Sequence, residues 1–140
     1  MKAENSLVKD VRIIRLPKVT NRTGNITALN GGVEVPFSIQ RIFYLFDIPG
    51  GESRGAHAHY QCTQFLVAAG GSFTVMVDDG REKAEHFLNQ PYEGLLIPPG
   101  IWASEIDFSS GATCLVLASH KYDETDYLRN YKEFLKFKGL

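Results

Sequence analysis

The stretch TQFLVAAGGSFTVMVDDGREKAEHFL (residues 63–88) decides the architecture. Three short runs, Thr63–Ala69, Ser72–Val77 and Lys83–Leu88, are divided by Gly70-Gly71 and by Asp78-Asp79-Gly80. Gly and Asp supply the turn geometry, and Asp79-Gly80 between two alternating runs is a strong hairpin signal. The same rhythm extends outward in both directions. Val11–Leu16, Ile26–Leu29 and Arg41–Ile48 precede the stretch, and Gly94–Ile97, Ile101–Phe108 and Ala112–Ser119 follow it. Gly31-Gly32, Pro49-Gly50-Gly51 and Pro98-Pro99-Gly100 mark further turns. Many short strands with Gly and Pro punctuation predict an all-β sandwich or barrel. The period changes only near the end, where Tyr127, Leu128, Tyr131, Phe134 and Leu135 recur at helical spacing behind Asp123, a capable cap. This predicts a short C-terminal helix whose aromatic stripe packs on the β-domain.

A chain of 140 residues, 44% hydrophobic, fits one domain spanning 1–140. A net charge of -1 gives no long-range field to draw it to nucleic acid or an anionic membrane. Five of the seven arginines, Arg12, Arg15, Arg22, Arg41 and Arg54, nevertheless fall in the first 54 positions, and the guanidinium suits bidentate phosphate recognition. The opening MKAENSLVKD is not an apolar leader, and no run approaches a membrane span, so the expected setting is cytoplasmic. Cys62 and Cys114 lie in apolar runs without CxxC spacing and read as buried free thiols.

The chemistry concentrates in RGAHAH, residues 54–59. The segment follows a Pro-Gly-Gly turn and precedes an apolar run, which places it near the start of a strand or on a strand pair. Residues i and i+2 of a strand share a face, so His57 and His59 point the same way. Two histidines on one face, flanked by Gly and Ala and beside an arginine, are hard to explain as packing. Imidazole both takes and returns a proton near neutral pH, and the pair therefore suits general acid–base catalysis.

Here the sequence resembles the cupin superfamily. Gly55, His57, His59 and Gly70 match its first motif in order, and Pro98-Pro99-Gly100 matches the start of its second. The match fails at the first motif's carboxylate, where Gln64 stands, and at the second motif's histidine, where Ala103 stands. A neutral amide is a weak ligand for a hard divalent cation and an alanine is none, so no bound metal and no other cofactor is expected.

A closer resemblance, over most of the chain, is to the sugar 3,4-ketoisomerases, the WxcM-like cupins that act on dTDP-4-keto-6-deoxyglucose. It is carried by Pro36-Phe-Ser-Ile39, Arg41-Ile-Phe-Tyr-Leu-Phe-Asp47, Arg54-Gly-Ala-His57-Ala-His59, Asp78-Asp79-Gly80, Pro99-Gly-Ile-Trp102, Asp107-Phe-Ser109 and Tyr122-Asp-Glu-Thr-Asp-Tyr127. It implies a jelly-roll-like cupin barrel, a homodimer, a dTDP-linked 4-keto-6-deoxy sugar as substrate, and movement of the ketone from C4 to C3 through an enediol or enediolate. It implies His59 as the C3 base and His57 as its partner. Arg41 and Arg54, with Arg22 as a third, become candidates for the pyrophosphate, Tyr44 and Trp102 for flanking the sugar or thymine, and Gln64 for a sugar hydroxyl. Ala103 departs from the polar residue common after that tryptophan, which leaves the galacto and gluco products both open. Rival readings are a dTDP-sugar 3,5-epimerase, a noncatalytic nucleotide-sugar-binding cupin, and a cupin dioxygenase, which Gln64 and Ala103 disfavour.

Overall fold

The computed structural model describes residues 1–140. The strands in chain order are β1 (Arg12–Arg15), β2 (Val19–Asn21), β3 (Gly24–Ile26), β4 (Arg41–Leu45), β5 (Arg54–His59), β6 (Gln64–Gly70), β7 (Phe73–Asp78), β8 (Lys83–Leu88), β9 (Glu93–Ile97), β10 (Trp102–Ile106), β11 (Thr113–Ala118) and β12 (Tyr127–Leu128). One helix, α1 (Tyr131–Phe137), ends the chain. Two five-stranded antiparallel sheets, β1-β9-β6-β11-β4 and β12-β5-β10-β7-β8, face each other, and β2 and β3 form a separate hairpin. The all-β expectation with a short C-terminal helix therefore holds, in a cupin-like arrangement.

The alternation of side chains explains the layers. On β6, Leu66 and Ala68 point between the sheets to join Phe73, Val75, Val77, Leu95, Ile97, Cys114 and Val116 in the main core. The opposite parity, Phe65 and Val67, joins Leu117, Leu16 and Val35 in a second cluster on the outer face. Both faces of β6 are thus dry, which is why its sequence reads as a continuous apolar run. Phe73 is fully buried and stacks on Phe108 at 5.2 Å. Burial of a side chain of that size stabilises by about 1.5–3 kcal/mol.

The Asp79-Gly80 hairpin forms between β7 and β8, with Asp78 opposite Lys83 and a loop of residues 79–82. Asp78 and Asp79 accept N–H bonds from Gly80, Arg81 and Glu82, which accounts for the paired aspartates. Cys62 and Cys114 are buried free thiols, as expected. Two expected strands are displaced or shortened: Ile26–Leu29 meets β3 only at Ile26, and Arg41–Ile48 stops at Leu45.

The C-terminal segment differs from the expectation in a way that bears on function. Helix α1 begins at Tyr131, capped by Asn130, whose side chain accepts the Glu133 N–H. Asp123 instead caps a 3-10 turn, Glu124–Asp126, by accepting the Thr125 N–H. Tyr127 and Leu128 are extended because their backbone adds an edge strand to β5, opposite His59 and Ala58. Leu128 and Phe134 then close over Ala58, with Trp102 packed against them. No helix is long and apolar enough to cross a membrane.

Candidate active site

Strand β5 contains the whole RGAHAH segment, between β12 and β10. Gly55, His57 and His59 share its inward face, while Ala58 turns the other way and is sealed under Leu128 and Phe134. A larger residue at position 58 has no room, so the alanine between the histidines is a packing requirement. The imidazole rings of His57 and His59 meet edge to face at 4.9 Å. Tyr127 covers both, 4.9 Å from His57 and 4.4 Å from His59.

His59 is only 5% exposed, and its Nδ1 lies 3.1 Å from Asp126 Oδ2. Asp126 is itself fixed, with Oδ1 accepting the Gln61 N–H at 2.8 Å and Oδ2 the Cys62 N–H at 3.1 Å. A carboxylate only accepts, so the Nδ1 of neutral His59 carries the proton and its Nε2 keeps the lone pair. That Nε2 is buried with no protein partner. Burial lowers the His59 pKa, an effect the Asp126 carboxylate opposes without cancelling. Burial, then the neighbouring His59 and Arg129, pushes His57 down to about 4. At neutral pH the site therefore holds two uncharged imidazoles, both able to accept a proton.

The two histidines border an inner space of about 20 Å³, shared with Gly55, Gln64, Ala103 and Glu105. That volume holds about one water molecule. Tyr127, packed on both histidine rings, sits among cations. Arg41 Nη2 donates to Tyr127 Oη at 3.3 Å, and the Arg129 guanidinium lies 4.3 Å over the Tyr127 ring. Arg129 is held by Glu124 at 2.6 and 2.9 Å, and Arg41 lies 5.6 Å over the Tyr122 ring. The buried Arg41 Nε has no partner.

His59, Cys62 and Asp126 are the one group of three whose donor atoms approach within 4.8 Å of one another. The Asp126 oxygens already accept three hydrogen bonds there. The cluster is a hydrogen-bonded imidazole–carboxylate pair with a thiol beside it.

Of the residues singled out in the sequence, the structure brings His57, His59, Gln64 and Arg41 together. Tyr44 points outward, because β4 turns Arg41, Phe43 and Leu45 the other way. Trp102 stands on the outer face of β10, away from the histidine cavity, where it meets Tyr131 at 5.2 Å and Phe134 at 5.5 Å. The alternation that turns Ala103 and Glu105 inward forces this placement. Arg54 opens β5 in an exposed groove shared with Tyr44, apart from the histidine cavity. Arg22 stands exposed at the β2–β3 turn and does not line the cavity.

Sequence reasoning missed Asp126, Tyr127 and Glu105 as site residues. The first two lie inside the quoted YDETDY element and were hidden by reading it as the start of a helix. The signal for Glu105 was present, since Ile101, Ala103 and Glu105 share one parity and a carboxylate on an otherwise inward face is conspicuous.

Comparison with known proteins agrees with this geometry. The family described as FdtA: WxcM-like, C-terminal matches residues 9–139. The TDP-4-oxo-6-deoxy-alpha-D-glucose-3,4-oxoisomerase of Aneurinibacillus thermoaerophilus is 42% identical over 126 residues, covering 90% of this chain and 91% of that protein. The WlaRB TDP-quinovose 3,4-ketoisomerase of Campylobacter jejuni is 41% identical with a TM-score of 0.87, over 91% of this chain and 98% of that one. QdtA, the 3,4-ketoisomerase of Thermoanaerobacterium thermosaccharolyticum, has been solved as a histidine-to-asparagine variant in complex with TDP-4-keto-6-deoxyglucose. It is 33% identical with a TM-score of 0.91, over 93% of this chain and 94% of that one. With a matching fold and family similarity along nearly its whole length, the chain belongs to the WxcM-like (FdtA) family of sugar 3,4-ketoisomerases.

Proposed function

We propose that this chain converts dTDP-4-keto-6-deoxyglucose to a dTDP-3-keto-6-deoxyhexose, as one cupin domain and without a metal. The observation that carries the reading is His59, whose Nδ1 is held by Asp126 while its unpartnered Nε2 borders the same cavity as neutral His57. Moving a ketone from C4 to C3 needs a base at C3, an enediol or enediolate, and reprotonation at C4. His59 is the C3 base, and His57, ring against ring with it, shares in returning a proton to C4. No electron leaves the sugar, so no redox partner enters the balance. The names of the relatives support the substrate. A 3-keto product places the chain ahead of an aminotransfer step in 3-amino-3,6-dideoxyhexose formation.

Arg41, with a free Nε and a bond to Tyr127, is the first candidate for the pyrophosphate, and Gln64 for a sugar hydroxyl. Arg54 and Arg22 require a nucleotide that extends out of the cavity or a second subunit. We place that subunit on the outer face of β4. Ile42, Tyr44 and Phe46 form an apolar stripe there, each more than half exposed, on the edge strand of its sheet. The detached β2–β3 hairpin carries Val19 and Ile26, exposed by more than 60%. A homodimer covers this apolar surface. Sedimentation should give twice the chain mass, and Tyr44→Glu should shift it toward the monomer.

The deciding experiment is proton NMR of dTDP-4-keto-6-deoxyglucose in D₂O with metal-stripped protein. A 3-keto sugar carrying deuterium at C4 is the expected result, and its coupling constants distinguish galacto from gluco. Exchange at C3 and C5 with the ketone still at C4 would instead indicate an epimerase. Tight binding with no exchange would indicate a binding module. His59→Asn should abolish turnover while leaving TDP binding nearly intact.

A further inference from the structure

A 3,4-ketone shift moves protons at four places: C3, O4, O3 and C4. Two uncharged imidazoles account for the carbon protons, but the N–H of His59 is engaged by Asp126 and the N–H of any neutral imidazole is a far weaker acid than a carboxyl, so O4 calls for a better proton donor. The cavity offers one further ionisable group that the mechanism above does not use. Glu105, on β10, is only 8% exposed and borders the same 20 Å³ space as His57, His59 and Gln64. Room is made for it deliberately. Gly55, the second residue of the RGAHAH segment, has a φ of +81°, and a Cβ there would collide with the Glu105 carboxylate. Glycine at position 55 is therefore required twice, by its backbone and by its neighbour.

We propose that Glu105 is the oxygen acid–base of the site, handling the protons on O4 and O3 while the histidines handle those on carbon. This rests on the ketoisomerase reading above. Glu105 starts as the neutral acid. As His59 breaks the C3–H bond and takes the proton, Glu105 gives its proton to O4, so that C4=O becomes C4–OH and C3=C4 forms. The Glu105 carboxylate then takes the O3 proton as C3=O forms, and the imidazolium returns a proton to C4. Both groups end as they began, with atoms and electrons balanced. Burial holds the Glu105 carboxyl up at about 7, opposed first by a hydrogen bond from its own backbone N–H and then by the nearby Arg54. The groups that face or neighbour it are Arg54, His57 and His59 from β5, Cys62 after it, and Cys114 from β11, whose thiol is pushed up by burial and then by the Glu105 charge. Burial keeps both histidines uncharged near pH 7, leaving Arg54 as the cation that tempers Glu105.

The test combines two substitutions with a titration of the unaltered protein. Glu105→Gln keeps the shape and removes the exchangeable acid. We expect kcat to fall by about 10²-fold or more. TDP affinity and KM should stay within a few-fold, and the limb of the pH–rate profile assigned to this carboxyl should vanish. Glu105→Asp should recover part of kcat. Independently, ¹³C-carboxyl NMR of wild-type protein with TDP bound should show one glutamate titrating near neutrality, and Glu105→Gln should remove that signal. Wild-type kcat and an unchanged pH profile in Glu105→Gln would overturn the proposal. So would a wild-type titration with every glutamate in the ordinary carboxyl range, which decides the matter even if the variant fails to fold. A wild-type protein that titrates as expected but turns over no keto sugar would overturn the parent reading together with this role.

Discussion

Asp126 is the residue whose alteration tests the site most directly. It accepts from three donors: Gln61 N–H on Oδ1, and Cys62 N–H and His59 Nδ1 on Oδ2. An asparagine has one oxygen and cannot serve both sides. Its lowest-cost placement puts the carbonyl at the Oδ2 position, because Cys62 is buried while Gln61 is exposed and finds water. Asp126→Asn should therefore keep the His59 tautomer and geometry and lose only the negative charge. That charge stabilises the imidazolium formed as C3 is deprotonated. At a separation of about 4 Å and an effective dielectric near 20 the attraction is about 4 kcal/mol. Some relaxation reduces this, so kcat should fall by about 10²–10³-fold. The acid limb of the rate profile gives an independent check. The carboxylate raises the His59 pKa against burial, so its removal lowers that pKa further. The limb then moves to lower pH, and because the imidazole is already neutral at pH 7, raising the pH should restore nothing. The assay is the initial rate of 3-keto sugar formation by NMR from acid to neutral pH, with TDP affinity measured by calorimetry. A loss under about fivefold, or one rescued at higher pH, would refute the role given to Asp126.

Other consequences follow from the same geometry. His57, held near 4 when folded, binds fewer protons in the native state than in the unfolded state between about pH 4 and 6.5; its contribution is present above that window and is lost on acidification. Glu105, raised to about 7, works in the opposite sense: its contribution is present below about 4.5 and is lost as pH rises through 7. Each displacement, from 6.5 to about 4 for His57 and from 4.5 to about 7 for Glu105, corresponds to roughly 3 kcal/mol. Urea melts at pH 5 and pH 8 should show Glu105→Gln gaining stability relative to wild type at the higher pH. Arg41→Ala should weaken TDP binding by about tenfold or more, the value of a charge-assisted bond, with a smaller effect on kcat, as calorimetry and kinetics will show. Lys138 Nζ donates to the carbonyls of Ala3, Ser6 and Gly100, tying the end of the chain to its beginning. Lys138→Met should cost about 1–2 kcal/mol, visible as a fall of several degrees in Tm.

The legible and illegible parts of this chain divide along physical lines. Strand alternation is a local property, and it correctly made Thr63–Ala69, the β7–β8 hairpin and the common face of His57 and His59 readable from residue order. Edge pairing is not local. Tyr127 and Leu128 fit a helical stripe as well as an extended pair, and the choice is made by β5, which lies about 70 positions earlier and offers an open edge. Once that edge is taken, Asp126 arrives beside His59 and Tyr127 over both imidazoles. The error in placing the helix and the failure to see Asp126 were therefore one error. Trp102 and Glu105 form a second linked pair. One parity rule turns the large aromatic outward to α1 and turns Glu105 in to the cavity. A glycine before a His-x-His segment reads as a turn signal, yet its tightest neighbour is a carboxylate 50 positions away, which only the closed barrel reveals. The histidines could be found from sequence because they lie two apart on one strand. Besides burial, the groups that set their protonation, Asp126, Arg129 and Arg41 among them, lie elsewhere along the chain, and the pairing of β12 with β5 brings Asp126 into reach.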